Sequence, residues 1–479
     1  MLFAAACRHK FVDVVPLPPP VGPPEHEVLY RDGLNAFRQA TPEGYERAAE
    51  AFRKASRLNA SNCEYSLHLV EALLFLAQEQ RLNSEDFAPR LTEAGAILNV
   101  AQTTTACSAF ESTANRLSGM HLYLREPLRR NEAVTAVNKA IELDPNDPLN
   151  WVVLSKLTSR DPRNPVQRAL DLAPDLPLVQ YEYGNYLLYV AGGFPKAQQA
   201  FDRAIELSPR HFESIVGKVY SLSIDEYSEE SEPLLKQVIE IAPSFLTGRR
   251  LMGDYYAGME EIEKAVEQYR AAIGFNTNYY PAFLALGRTL MGAERLDEAE
   301  AALLSLIKLD VTTPRPPLNG TDYAADCQAH YLLGNIWFER GDLAKAYAEY
   351  QRALADIPTY PDALYSMGLV LSREGKADEA LVKFNQVIKD NPDNYAGAYI
   401  ARAGIRFNRR QFSDAIADYT RSIGIFQEQI AALDTKANLD ESKGRQRKAD
   451  TARKRKATLE AELGRAVESR KTTEAELAN

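Results

Sequence analysis

The sequence has few of the residues from which metal sites and disulfide scaffolds are built. Its 479 residues include only four cysteines and six histidines. The cysteines form no CxxC pair and the histidines no HExxH spacing, so neither a disulfide-rich fold nor a structural zinc site is expected. A run of about 18 consecutive apolar residues is also missing, and we therefore expect no transmembrane helix.

Catalytic and nucleic-acid signatures are missing too. The sequence contains neither the phosphate-binding loop GxxxxGK[ST] nor the nucleophile elbow GxSxG. Its formal net charge is −10, from 66 acidic and 56 basic residues, whereas nucleic-acid-binding domains usually carry a basic face. We expect no enzymatic activity, no cofactor, no metal and no specific nucleic-acid partner.

What the sequence does contain is a repeat of fixed length. One block of residues recurs 34 positions later: Gly334, Ala346, Tyr350, Ala353 and Pro358 return as Gly368, Ala380, Phe384, Val387 and Pro392. An upstream block has the same offset: Gly253, Ala265, Tyr269 and Ala272 return as Gly287, Ala299, Leu303 and Leu306. A fixed period indicates stacked units rather than an irregular helical bundle.

This pattern resembles the tetratricopeptide repeat, a helix-turn-helix unit of about 34 residues. The resemblance covers roughly residues 25–425 and implies an all-α fold, a right-handed superhelical solenoid of about eleven repeats followed by a long C-terminal helical tail. Gly334 and Ala346 would be small where the two helices of a unit cross, Tyr350 would fill the space beside them, and Pro358 would end the second helix. Residues 61–101 lack a clean signature, but Cys63–Glu79 and Ser84–Val100 are interpreted as one more helix pair.

We divide the chain into five segments. They are an N-terminal segment with a Pro-rich linker (1–24), the first part of the solenoid (25–310), a Pro-rich insert loop (311–325), the second part of the solenoid (326–427) and a charged helical tail (428–479). The run KGRQRKADTARKRK in the tail holds eight basic residues against Asp450 alone. We interpret it as a solvated helix with partial charge compensation, because it has no interleaved aromatic residue on which a base could stack.

The first seven residues, ending in Ala-Ala-Ala-Cys7, resemble the end of a bacterial lipoprotein signal. That resemblance implies a lipid anchor at Cys7 and a location on the periplasmic face of the outer membrane. It requires the true start to lie upstream of Met1, because six residues cannot supply the charged and apolar parts of a signal peptide. The alternative is a cytoplasmic protein with an unstructured, Ala-rich start.

The sequence allows two other cysteines to be either a disulfide or two free thiols. Cys63 and Cys107 could pair in an oxidising compartment if neighbouring helices bring them together, and we favour inert buried thiols. Cys327 is expected to pack in the core.

Candidate binding residues follow from the resemblance, because ligands of this family usually lie along the concave face formed by the first helices. Those positions hold Tyr181, Asn185, Tyr189, His211, Lys218, Arg250, Arg288, Tyr331, Asn335, Phe338, Tyr365 and Arg373. Tyr and Arg are enriched at protein-binding hot spots. We expect Arg250 and Tyr365 to face solvent, and Arg250 with Arg288 to favour acidic or phosphorylated ligands.

Two functions are compatible with these features. The first is a non-catalytic scaffold or adaptor that binds peptide or protein partners along the concave face, in bacterial envelope assembly if Cys7 is lipidated. The alternative is the regulatory or substrate-binding subunit of an enzyme such as a glycosyltransferase. The repeat array occupies nearly the whole chain and leaves no room for a nucleotide-binding domain, which favours the scaffold.

Overall fold

A computed structural model describes residues 23–158, 165–190, 193–222, 229–309, 325–442 and 446–478. Within these ranges every regular element is a helix, so the all-α fold class is confirmed. Cys7 and nearly all of the Pro-rich linker and of the insert loop lie outside the described residues.

The chain forms two compact units. Unit 1 comprises Met1–Glu79, Phe87–Ala191 and Arg203–Phe212, and unit 2 comprises Gln80–Asp86, Gly192–Asp202 and Glu213–Asn479. The helices of unit 1 are α1 (Glu25–Phe37), α2 (Pro42–Leu58), α3 (Cys63–Leu82), α4 (Ala88–Thr103), α5 (Glu111–Arg125), α6 (Arg130–Leu143), α7 (Pro148–Leu157), α8 (Pro165–Leu172) and α9 (Pro177–Tyr189). The end of α3 and the first part of α10 (Phe194–Leu207) belong to unit 2.

Unit 2 continues the same alternation of helices. Its remaining helices are α11 (Phe212–Leu222), α12 (Ser231–Ile241), α13 (Leu246–Gly258), α14 (Ile262–Phe275), α15 (Tyr280–Gly292), α16 (Leu296–Lys308), α17 (Ala325–Glu339), α18 (Leu343–Asp356), α19 (Pro361–Arg373), α20 (Ala377–Asp390), α21 (Ala396–Asn408), α22 (Phe412–Ser442) and α23 (Gln446–Ala478). From α13 to α22 the odd-numbered helix of each pair is the first helix of a repeat and the even-numbered one is the second.

Small residues lie where the two helices of a pair cross, as the repeat pattern predicts. A Cβ atom added to Gly368 would lie 2.6 Å from Cε1 of Phe384 on the partner helix. Gly334 makes the same close approach to Tyr350. Ala346 and Ala380 are fully buried. Each ring therefore packs directly on the glycine of its own repeat, and a side chain at that glycine would push the helices apart.

The turn between the two helices of a repeat needs a left-handed residue. Gly341 and Gly375 supply it with φ near +79° and +78°, a conformation that costs glycine nothing. The equivalent turns of three other repeats hold Glu260, Glu294 and Arg410, with φ of 62°, 61° and 60°. These three repeats have a side chain where the backbone favours glycine.

The C-terminal tail is a packed hairpin of α22 and α23. Helix α22 runs without a break from the last repeat into the tail, because no proline or glycine interrupts it after Gly424. Helix α23 packs back along α22, with Ala437, Ala449 and Ala466 buried. Its basic residues are partly compensated, since Lys456 pairs with Asp434 at 2.7 Å and Arg453 pairs with Glu441.

A disulfide in unit 1 corrects the interpretation of two cysteines as free thiols. Cys63 begins α3 and Cys107 lies in a 3-10 turn after α4, and the two are bonded with their Cα atoms 5.4 Å apart. The bond links the start of α3 to the turn after α4. The sequence predicts a helix pair in this stretch although the repeat signature is missing, and both α3 and α4 are helices. Cys327 is a buried free thiol whose Sγ donates to the carbonyl oxygen of Ala353 at 3.2 Å.

Candidate binding face

The first helices of unit 2 form one continuous surface, here called the first-helix face and made by α13, α15, α17 and α19. Continuity is shown by contacts between neighbouring first helices. Arg288 of α15 donates from Nη2 to Oε1 of Gln328 on α17 at 3.0 Å. Tyr331 of α17 lies 5.2 Å, centroid to centroid, from Tyr360, which immediately precedes α19. The predicted residues of α15, α17 and α19 therefore share one face.

Three half-buried aromatic residues, Tyr331, Phe338 and Tyr365, form what we call the aromatic strip. Burial raises the pKa of the hydroxyl groups of Tyr331 and Tyr365 above the usual range. Both therefore stay neutral at physiological pH and offer a flat ring with a hydroxyl group. Since Tyr365 is half-buried, the expectation that it fully faces solvent holds only in part.

Arg373 lies over the ring of Phe338, with its guanidinium carbon 4.0 Å from the ring centroid. Arg373 is exposed, so the stacked guanidinium keeps hydrogen-bond donors directed to solvent. Asn335 is engaged inside its own repeat instead, because its Oδ1 accepts a hydrogen bond from the Tyr350 hydroxyl at 2.7 Å. Within this part of the face, Arg373 and the aromatic strip are more accessible to a binding partner than Asn335.

Arg250 is buried, and the expectation that it faces solvent is wrong. Its side chain is only 4 % exposed and forms an ion pair with Asp254, four residues later on α13. It also donates to the hydroxyl oxygen of Tyr220 at 3.2 Å. The next helical turn thus supplies the carboxylate that we had assigned to a ligand. Lys218 is similarly paired, with Nζ 2.6 Å from Oδ1 of Asp202.

Three predicted residues lie in unit 1 on α9. Tyr181 packs edge-on against His211, with ring centroids 5.3 Å apart, and Asn185 is half-buried. Tyr189 is 68 % exposed at the end of the helix. These residues belong to unit 1 and are not part of the first-helix face of unit 2.

Sequence reasoning missed two residues of α17. The ring of Trp337 lies beneath the ammonium of Lys345, 3.9 Å from the ring centroid, and beside the guanidinium of Arg340 at 4.9 Å. Trp337 lies one residue before the predicted inner position of Phe338. Gln328, which accepts from Arg288, occupies an inner position of its repeat, and that position is the sequence signal that could have found it.

Within the described residues, no cluster of His, Cys, Asp and Glu side chains could hold a metal ion. No described helix is both long and apolar enough to cross a bilayer.

Two repeat families match in the second half of the chain, where the glycine spacing is most regular. The model described as "TPR repeat" matches residues 334–375, and "Tetratricopeptide repeat" matches residues 362–394. The chain is a tetratricopeptide repeat protein. Its helix pairs α17 with α18 and α19 with α20 are the matched repeats.

Known proteins that contain these repeats are similar in sequence or structure to this chain. "Tetratricopeptide repeat protein 8" of Caenorhabditis elegans is 27 % identical over 187 residues, which is 38 % of this chain and 34 % of the relative. The chain thus aligns with about a third of that relative. A human IFIT1 dimer structure is 15 % identical, with a TM-score of 0.46 and coverage of 76 % of this chain and 89 % of that one.

The Cut9–Hcn1 hetero-tetramer of the APC/C is 14 % identical, with a TM-score of 0.38 and coverage of 94 % of this chain and 96 % of the other. We draw no conclusion about this chain from structural similarities this distant.

Proposed function

We propose that this tetratricopeptide repeat protein is a non-catalytic scaffold that binds a protein or peptide partner on the first-helix face of unit 2. The observation that carries the proposal is the aromatic strip beside the exposed Arg373. Half-buried aromatic rings and a stacked arginine are the side chains that dominate protein-binding hot spots. The rigid helix pairs beneath hold them in place without a ligand.

Site-specific photo-crosslinking tests this function. A photoreactive phenylalanine analogue replaces Tyr365 in the full chain, and a matched variant carries it at Val382, which is 62 % exposed on second helix α20. We expect one partner to be captured in stoichiometric amount from position 365 and not from position 382. Equal capture at both positions, or capture only at 382, contradicts the proposal.

We also propose that the chain works in an oxidising compartment, as a component of envelope assembly. Support comes from the buried disulfide between Cys63 and Cys107, since such bonds are rare in reducing compartments.

Lipidation at Cys7 remains a prediction from the sequence. Fractionation of cells expressing the gene with its upstream region tests it: wild type is expected with membranes and Cys7→Ser in the soluble fraction. Soluble wild type contradicts the anchor.

A further inference from the structure

Helix α23 does more than close the C-terminal hairpin. Besides packing along α22, it carries an apolar stripe with one residue per helical turn, which is half-buried against the buried apolar cluster of unit 2. The stripe consists of Leu459, Leu463 and Val467. The aromatic strip of the first-helix face packs against the same cluster. Helix α23 and the first-helix face therefore share one apolar core.

Two contacts outside α22 show where α23 runs. Nζ of Lys454 lies 3.7 Å from Oε1 of Glu260, in the turn between α13 and α14. Eight residues later, about 12 Å along the helix, Glu462 lies beside Tyr365 of α19. Burial, and after it the negative charge of Glu462, raises the pKa of the Tyr365 hydroxyl. These contacts connect α23 with repeats at α13 and α19, which are three repeats apart.

The path of α23 follows from these contacts. Repeat solenoids curve, and in this repeat family the first helices form the concave side. A straight helix that meets distant repeats of a curved stack runs across its concave side, because along the convex side it would touch only the middle. Helix α23 therefore passes over the first-helix face and covers the aromatic strip at Tyr365.

The contacts of α23 with the first repeats of this face are weak. The side chains of Lys454 and Glu260 are 76 % and 81 % exposed, so their ion pair contributes little and is screened by salt. Strong contacts are not needed, because a tethered segment acts at an effective concentration on the order of millimolar. The helix can thus cover the face and still leave it without unfolding the repeats.

We propose that α23 is an autoinhibitory helix, which covers the first-helix face in the free protein and is displaced when a partner binds. The inference rests on the proposed function and adds how that face is regulated. A partner's apparent affinity is reduced in proportion to the fraction of chains whose face is uncovered. Any change that holds α23 in place is therefore expected to prevent binding.

Photo-crosslinking within the full chain tests the covered state without a partner. A photoreactive phenylalanine analogue replaces Glu462, and a matched variant carries it at Glu468, which is exposed on the same helix. We expect an intramolecular adduct with α19 from position 462 and none from position 468, as identified by peptide mass spectrometry. No α19 adduct from 462, or equal adducts from both positions, overturns the inference.

A reversible covalent lock tests displacement. Lys454→Cys and Glu260→Cys are joined by a bis-maleimide with a periodate-cleavable spacer, in a chain that also carries Cys7→Ser. The other native cysteines are bonded or buried, so the reagent joins the new pair. Partner capture from position 365 is expected to fall roughly tenfold or more in the locked protein and to return after cleavage.

Two controls accompany the lock. Circular dichroism checks that the locked protein is folded, and Lys454→Cys alone, treated with the same reagent, is expected to capture the partner normally. Equal capture by the locked and the cleaved protein overturns the inference. So does slower hydrogen exchange of α23 on partner binding, because a displaced helix exchanges faster.

Failure of this inference is distinguishable from failure of the scaffold function. Selective capture from position 365 and not from 382, at the same level in the locked and the cleaved protein, supports the scaffold and overturns autoinhibition. No selective capture even from the cleaved protein refutes the scaffold function, and with it the regulatory role of α23, whether or not position 462 forms its adduct with α19.

Discussion

A single buried residue shows that position within a repeat does not by itself predict whether a side chain contacts a ligand. Arg250 lies where the family presents ligand contacts, yet Asp254 and Tyr220 bind it inside unit 2. The acidic residue four positions later is visible in the sequence and predicts such a pair on a helix. By contrast, the partner of Arg288 could not be found from neighbouring residues, because Gln328 comes from the next repeat.

Replacing Arg250 should therefore destabilise the fold. Arg250→Ala leaves the charge of Asp254 without its cationic partner in a nearly buried site, with only the Tyr269 hydroxyl still donating to it, and is expected to lower the free energy of unfolding by about 2–4 kcal/mol. Arg373→Ala is the control, and at an exposed position it is expected to stay within about 0.5 kcal/mol of wild type. Urea denaturation followed by circular dichroism gives both values. Equal stability of the two variants would show that Arg250 is solvent-facing after all.

His121 makes part of the stability of unit 1 depend on pH. Its ring is buried and Nε2 donates to the carbonyl oxygen of Leu91 at 2.9 Å. Burial lowers the pKa of this histidine, so the unfolded chain binds a proton that the folded chain excludes. Stability is present above the unfolded pKa near 6.5 and falls as pH drops below it toward the folded pKa.

We expect the urea midpoint of wild type to fall between pH 7.5 and pH 5 by more than that of His121→Gln, which keeps a donor but does not titrate in this range. The difference between the two proteins isolates this group from other titrating residues. Parallel pH profiles would contradict the assigned role of burial.

At the scale of the element, the turns inside the repeats offer an internal comparison. Glu294 adopts φ of 61° where Gly341 adopts 79° in the next repeat. A left-handed conformation costs a non-glycine residue about 1 kcal/mol. Glu294→Gly is therefore expected to stabilise the protein by about 0.5–1 kcal/mol, and Gly341→Ala to destabilise it by about 1 kcal/mol. Thermal unfolding measures both. A lower melting temperature for Glu294→Gly would be the contrary result.

The disulfide, which connects two elements of unit 1, gives a second prediction at this scale. Closing a loop between residues 44 apart in sequence stabilises a fold by about 2–4 kcal/mol. Reduction is expected to lower the melting temperature of wild type and leave a Cys63→Ala/Cys107→Ala double variant unchanged. Alkylation of the denatured protein without reductant, followed by mass spectrometry, counts its free thiols. A Cys63–Cys107 bond should protect both of these cysteines from labelling. Labelling of both would contradict the bond.

The same elements show what the sequence could predict. The glycine and aromatic spacing located the helix pairs from α13 to α20, because each residue has one steric role at a helix crossing. Pairing of Cys63 with Cys107 was not predictable, because the repeat register is lost between them and a 3-10 turn after α4 sets the position of Cys107. The hairpin of α22 and α23 was interpreted as solvated because its contacts are mainly through alanine, which leaves a weak apolar stripe.

For the whole molecule, the central claim is that partners dock on the first helices of unit 2 and leave the second helices exposed. Repeat arrays suit this division because the paired helices support the binding face without contributing to it. The face combines the aromatic strip with two arginines that lack a carboxylate partner among the described residues. Its function depends on which helices a partner covers.

Hydrogen–deuterium exchange of the full chain, alone and in complex with the partner captured by crosslinking, tests this claim most directly. The account predicts slower exchange in α15, α17 and α19 on binding, with α16, α18 and α20 unchanged. Slower exchange confined to α16, α18 and α20, or to the hairpin of α22 and α23, would contradict it.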